Sequence, residues 1–186
     1  MKEYQAGDMM VPITEYAIVS EDATLFEAIM ALEKAQEDFD HTRYRHRAIL
    51  IKNHEGIIIG KLSQLDALKA LEPKYHDMLD RKRSQHFGFT KKFMKSMLKD
   101  YHLFESPLED ICRKAGAQNV TKFMTKPLEG EFISETATLD EAIHQLVMGY
   151  HQSLLVTREG AITGVLRLTD VFAGVFHTMR QCFISR

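Results

Sequence analysis

Three arginines stand close together in the run His41-Thr42-Arg43-Tyr44-Arg45-His46-Arg47. Planar guanidinium forks match phosphate oxygens, so Arg43, Arg45 and Arg47 beside a strand edge could clamp a polyphosphate. A solvated loop has the same composition, and both readings stay open. A second cationic set, Lys91, Lys92, Lys95 and Lys99, lines one side of a helical pattern. Phe89, Phe93, Met94, Met97, Leu98 and Tyr101 line the other, which makes an amphipathic basic helix. Its apolar face could pack on the rest of the chain or on a second copy while the lysines solubilise it. Docking on an acidic partner, on nucleic acid or on a membrane surface are the alternatives. Nucleic acid is disfavoured, because no helix-turn-helix with base-reading residues is recognisable. His41, His46 and His54 lack the spacing of zinc ligands, so no metal site is expected. Gly-rich phosphate loops, a Gly-x-Ser-x-Gly elbow, His-Glu-x-x-His and paired thiols are all missing, and we expect no enzyme.

The chain that carries these groups has 186 residues, 45% hydrophobic and 27% charged, the balance of an ordinary globular protein. No apolar run approaches the roughly 20 residues of a membrane helix, and the acidic start lacks a secretion signal's apolar core. Two cysteines, Cys112 and Cys182, make no disulfide framework, so a reducing cytoplasmic setting is expected. Charge is uneven: residues 80–102 carry 7 basic and 2 acidic side chains inside a chain of net charge −2. Such a patch marks an acidic or phosphate-bearing contact, or simply a solvated helix face.

The elements that must position these residues come twice. Met10 … Ser20-Glu21-Asp22-Ala23-Thr24-Leu25-Phe26-Glu27-Ala28-Ile29 returns 114 residues later as Met124 … Ser134-Glu135-Thr136-Ala137-Thr138-Leu139-Asp140-Glu141-Ala142-Ile143. Thr24-x-x-Glu27 and Thr138-x-x-Glu141 are capping boxes, each ahead of apolar residues at helical spacing. A short β-prone stretch precedes each helix. Two apolar strands joined by a Gly-ended turn follow it, at Ala48–Ile59 and Ser153–Leu166. A last helix closes each copy. The order strand–helix–strand–strand–helix, twice, predicts an α+β fold of two packed repeats with ligand clefts between them. About 45 residues separate the copies, and Ser106-Pro107-Leu108-Glu109 reads there as a further helix start.

The Met-x-x-Pro-like openings (Met10-Val11-Pro12; Met124-Thr125-Lys126-Pro127), the Thr-Leu-x-Glu-Ala helix starts and the strand-to-helix endings resemble CBS domains. A tandem pair of these is a Bateman module. The resemblance implies CBS repeats at 4–73 and 119–182, packed as a pseudo-two-fold pair with a helical, partly basic insertion at 74–118. It also implies a regulatory module that binds an adenosine-containing ligand, with AMP, ADP or ATP foremost. No cofactor is required beyond that regulatory ligand. A conformational change would pass to an unidentified effector protein, and the chain would form a homodimer. In the family, Gly-hydrophobic-x-Ser/Thr-x-x-Asp/Asn holds ribose and phosphate. Gly60-Lys61-Leu62-Ser63-Gln64-Leu65-Asp66 supplies Ser63 and Asp66, with Lys61 where the pattern wants an apolar residue. Gly164-Val165-Leu166-Arg167-Leu168-Thr169-Asp170 supplies Asp170, with Arg167 in place of the hydroxyl. Arg167 could grip a phosphate or fill the cleft. Ser63 and Asp66 are equally an N-cap pair. The competing reading is a ligand-free scaffold that works through its basic helix.

Overall fold

The computed structural model describes residues 4–39, 44–75, 78 and 90–184. Arg43, Phe89 and residues 80–89 of the basic stretch lie outside them. The chain opens with a one-turn helix, α1 (Ala6–Met9), and a two-residue strand, β1 (Val11–Pro12). The first repeat follows as β2 (Ile18–Ser20), α2 (Leu25–Asp38), β3 (Ala48–Lys52), β4 (Ile58–Ser63) and α3 (Gln64–Ala70). After α4 (Lys91–Asp100) and α5 (Leu108–Gly116), the second runs β5 (Phe132–Ser134), α6 (Leu139–Gly149), β6 (Ser153–Arg158), β7 (Ala161–Arg167) and α7 (Leu168–Ile184). The α+β fold of two related repeats with a helical insertion between them is as the sequence predicts.

The capping boxes fix where the long helices begin. Thr24 Oγ1 accepts from the Glu27 amide at 3.2 Å, and the Thr24 amide donates back to Glu27 Oε2 at 2.7 Å. In the second copy the Thr138 amide donates to Glu141 Oε2 at 2.7 Å. The central strands read as unbroken apolar runs because both of their faces are covered. Side chains alternate along a strand, so Ile49 and Ile51 meet α2 and α3 while Leu50 points the other way. Leu154 and Val156 likewise join the second repeat's own core, and Leu155 faces Leu50's cluster. Three cores result, one per repeat and one shared between them.

The shared core is sealed by an exchange of opening segments. β1 pairs antiparallel with β7 of the other repeat, with Val11 opposite Val165 and Pro12 opposite Gly164. Thr125, which opens repeat 2, pairs with Lys61 on β4. The second sheet therefore has the order β1-β7-β6-β5, and the first is β2-β3-β4. Each exchange sets a methionine against a glycine. A Cβ on Gly60 would lie 2.4 Å from Met124 Sδ, and one on Gly164 the same distance from Met10 Sδ. The repeated Met and the repeated Gly are thus one contact seen twice. The caps are exchanged as well: Leu25 N donates to Gln118 O and Leu139 N to Tyr4 O, and Val120 N to Ala23 O as Ala6 N to Ala137 O. These reciprocal bonds express a pseudo-two-fold axis between the repeats.

The insertion is anchored at its ends. Buried Glu72 accepts the Phe104 amide at 2.8 Å, and Lys74 Nζ donates to the Tyr101 and His102 carbonyls at 3.1 and 2.6 Å. α5 sets Ala115 into the first core. Its start differs from the expected capping box: Pro107 occupies the N-cap position, with no side-chain cap bond. α4 begins on Thr90, whose hydroxyl accepts the Phe93 amide, and none of its residues is buried. Met94, Leu98 and Tyr101 stay nearly half exposed. Of the two coverings expected for this face, the repeats or a second copy, the described residues of the repeats do not bury it.

Candidate functional site

A cleft of about 410 Å³ opens between the repeats where β4 turns into α3. Ser63 and Asp66 line it, as do Arg45 and Arg47 from the extended segment entering β3. Repeat 2 contributes Glu131, Tyr150, His151, Arg167 and Thr169. Arg45 and Arg47 are exposed at this opening. Arg47 is held there by its backbone, whose carbonyl accepts the Gln64 amide at 3.0 Å.

Ser63 and Asp66 act on each other at this site. The Ser63 amide and hydroxyl donate to Asp66 Oδ2 at 3.1 and 2.5 Å, and the Asp66 amide donates to Ser63 Oγ at 3.1 Å. Lys69 Nζ takes the other carboxylate oxygen at 3.0 Å. Burial alone would raise the Asp66 pKa. The Ser63 hydroxyl, Lys69 and the Ser63 amide outweigh it and hold the carboxyl below its ordinary value. Cap and cleft lining are one arrangement, so the two sequence readings of this pair are compatible. Tyr16 also lines the cleft. Burial pushes its hydroxyl up to about 12, opposed by Arg167 and reinforced by Asp170, which leaves a neutral hydroxyl at physiological pH.

The corresponding turn of repeat 2 is built differently. Arg167 is buried and forks onto Asp170, Nε to Oδ2 and Nη2 to Oδ1, both at 2.6 Å. Its third nitrogen, Nη1, donates to the Tyr44 carbonyl of repeat 1 at 2.6 Å and lies 3.5 Å from His46 Nδ1. Phe39 stacks against the guanidinium, 5.5 Å from ring centre to Cζ. Arg167 therefore ties the repeats together rather than presenting its fork to solvent. Asp170 does not line the 410 Å³ cleft. It lies beside a separate hollow of about 470 Å³ lined with Met9, Phe172 and Phe176.

Lys61 sits in the cleft wall, and its ammonium pairs with Glu131 across the repeat boundary. Burial would raise the Glu131 pKa, but Lys61, the Leu128 amide and His151 together hold it down. Glu131, Tyr16 and Tyr150 were not singled out from sequence. One signal was present in the repeat alignment, where Lys61 stands opposite Val165 and Glu131 opposite Ala17, a matched exchange of two charges for two apolar residues.

Lys91, Lys92, Lys95 and Lys99 are exposed on α4 and do not line the cleft. Among the described residues, no group of three or more His, Cys, Asp or Glu could hold a metal ion, and no helix is long and apolar enough to cross a membrane.

No curated protein sequence matches the chain. Solved structures do. CBSX2, a CBS-pair protein from Arabidopsis thaliana, is similar at a TM-score of 0.59 and 16% identity, over 95% of this chain and 97% of that one. CBSX2 in complex with AMP gives 0.57 and 15%, over 95% and 98%. The CBS domains of a transcriptional regulator from Streptococcus pneumoniae give 0.55 and 11%, over 91% and 98%. At these identities the likeness is one of fold. The sequence profile of the CBS domain matches residues 6–73 and 120–177, two segments that together make up most of the chain. The chain belongs to the CBS domain family, as a tandem pair of CBS repeats.

Proposed function

We propose that this chain is a regulatory sensor that binds an adenosine-containing ligand in the cleft lined by Ser63 and Asp66 and signals to a separate effector protein. One observation carries the reading: Ser63, Asp66, Arg45, Arg47 and Lys61 converge on a single opening between the repeats. Asp66 is the acceptor for ribose hydroxyls, and Arg45 and Arg47 are free to reach phosphate oxygens. Arg43, the third arginine of the run, belongs to the same reading. Arg167 and Asp170 serve each other, so this turn of repeat 2 contributes structure more than ligand contact. CBSX2 has been solved with AMP, which supports an adenine nucleotide as the ligand class here. Binding would act by population shift, favouring whichever arrangement of the repeats the ligand fits better. We assign CBS repeats to 4–73 and 119–182, a non-catalytic role, a homodimer and a cytoplasmic setting as parts of the same proposal.

Thermal unfolding with AMP, ADP, ATP, NAD and S-adenosylmethionine tests it. A ligand at a hundred times its dissociation constant should stabilise the fold by about 2.7 kcal/mol, raising Tm by roughly 5–10 °C at this size. A flat response to all five would sink the sensor. The scaffold reading draws on α4, whose apolar side is exposed beside four lysines. In that case, reversing charge at Lys91, Lys92, Lys95 and Lys99 would weaken capture of an acidic partner and leave the ligand response intact.

A further inference from the structure

Residues 125–131 form a strap fastened twice to one residue of the other repeat. At its start, Thr125 and Lys61 exchange backbone hydrogen bonds, Lys61 N to Thr125 O at 3.0 Å and Thr125 N to Lys61 O at 2.8 Å. At its end, the Lys61 ammonium holds the Glu131 carboxylate. The far end also belongs to repeat 2, because Gln145 Nε2 donates to the carbonyls of Gly130 and Phe132 at 2.7 and 2.8 Å. Lys61–Glu131 is thus a side-chain tie between repeats, and both of its members line the cleft.

A mostly buried ion pair is a weak device for stability. Removing two charges from water costs about what their attraction returns, and apolar replacements are often neutral or better. The molecule contains that comparison. At the places related by the pseudo-two-fold, Val165 and Ala17 stand where Lys61 and Glu131 stand, both buried and uncharged. The fold closes without a charge pair on that side. On the side with the open cleft it places a cation whose partner is a carboxylate, and an incoming anion can replace a carboxylate.

Resting on the nucleotide reading above, we infer that Lys61–Glu131 is a latch operated by ligand phosphate. A phosphate entering the cleft takes the ammonium, Glu131 is released, and the end of the strap stays with repeat 2 while its tie to repeat 1 opens. Phosphate is thereby sensed by competition, and the adenosine part of the ligand binds without touching the latch.

Three variants and two probes test this. Glu131→Gln keeps the acceptor for the Leu128 amide and removes the competing charge. It should bind ATP about 3–10-fold more tightly, the scale of a charge-assisted hydrogen bond won without competition, and leave adenosine affinity unchanged. Lys61→Met should weaken ATP by a similar factor and spare adenosine. In wild-type protein, ATP but not adenosine should speed amide exchange at residues 129–132, and Glu131→Gln should show that speed without ligand. The double variant Lys61→Val/Glu131→Ala copies the other side, and should fold with Tm close to wild type. ATP affinity unmoved by either single variant overturns the latch and leaves the sensor standing. Strap exchange unchanged in ligand-free Glu131→Gln overturns it too. Wild-type protein that binds no ATP while Glu131→Gln loosens the strap overturns the nucleotide reading, and phosphate operation with it.

Discussion

The two strand-to-helix turns begin from the same backbone and end as different devices. Where β4 enters α3, Asp66 is held by Ser63 and Lys69 of its own repeat, and the turn faces an open cleft. Where β7 enters α7, Asp170 receives a buried fork from Arg167, which reaches on to the Tyr44 carbonyl of the other repeat. One substitution in the motif, hydroxyl to guanidinium, separates a turn that faces an open cleft from one that holds the repeats together. On the proposed function, side-chain chemistry divides the work of two related turns between binding and cohesion.

The sharpest way to break this contrast is to remove each carboxylate. Asp170→Ala leaves a buried guanidinium without its partner, a loss of about 3–5 kcal/mol and a fall in Tm on the order of 10 °C. Asp66→Ala removes only the returning half of the Ser63 capping box, at about 1 kcal/mol, and should abolish the nucleotide response that Asp170→Ala retains at low temperature. Calorimetry and ligand titration on the two variants check both halves. Equal losses of stability, or a ligand response lost only in Asp170→Ala, would erase the division of labour.

Much of this architecture was legible in the sequence because it is local. A capping box spans four residues, as Thr24 to Glu27 does, and a Gly-ended hairpin is written in its own turn. Glu159 and Gly160 both take positive φ, 49° and 82°, as a two-residue hairpin loop requires. The repeat then placed Ser63 and Asp66 beside a cleft. The relations between repeats were harder to read, because nothing local to Val11 says that it will pair with Val165. Met10 over Gly164 and Met124 over Gly60 were visible as four repeated letters, and only the fold joins them into two contacts. Arg167 had two readings from sequence. Neither contained the bond that Arg167 makes to the carbonyl of Tyr44, 123 residues away. The exposed face of α4 shows the limit of periodicity, which locates an apolar stripe without saying what covers it.

The two glycines at the exchange contacts give a second, smaller test. The three atoms nearest a Cβ on Gly60 all belong to the Met124 side chain, whose flexible thioether can move aside. A Cβ on Gly164 would also lie 2.6 Å from the Val11 carbonyl oxygen, and backbone held in a sheet cannot give way. Gly164→Ala should therefore cost about 1–3 kcal/mol as overpacking, measured by denaturant unfolding, and Gly60→Ala clearly less. Equal costs would mean that β1 holds its place on β7 no more firmly than Thr125 does on β4.

Acid should separate the halves by the smallest margin. Asp66 and Glu131 both line the cleft, and both are held below their ordinary pKa values by their partners. A carboxylate depressed in the folded state contributes stability that is fully present above its unfolded pKa, near 4. That stability is lost as pH falls through the lower, folded value. The cleft side should therefore loosen below about pH 4, while neutral solution leaves it untouched. Asp66→Asn and Glu131→Gln, which cannot titrate, should each flatten the acid limb of the Tm–pH curve. Val165→Ala, on the uncharged side, should lower the curve at every pH without changing its slope. An acid limb that is equally steep in all three would place the acid-sensitive charges elsewhere.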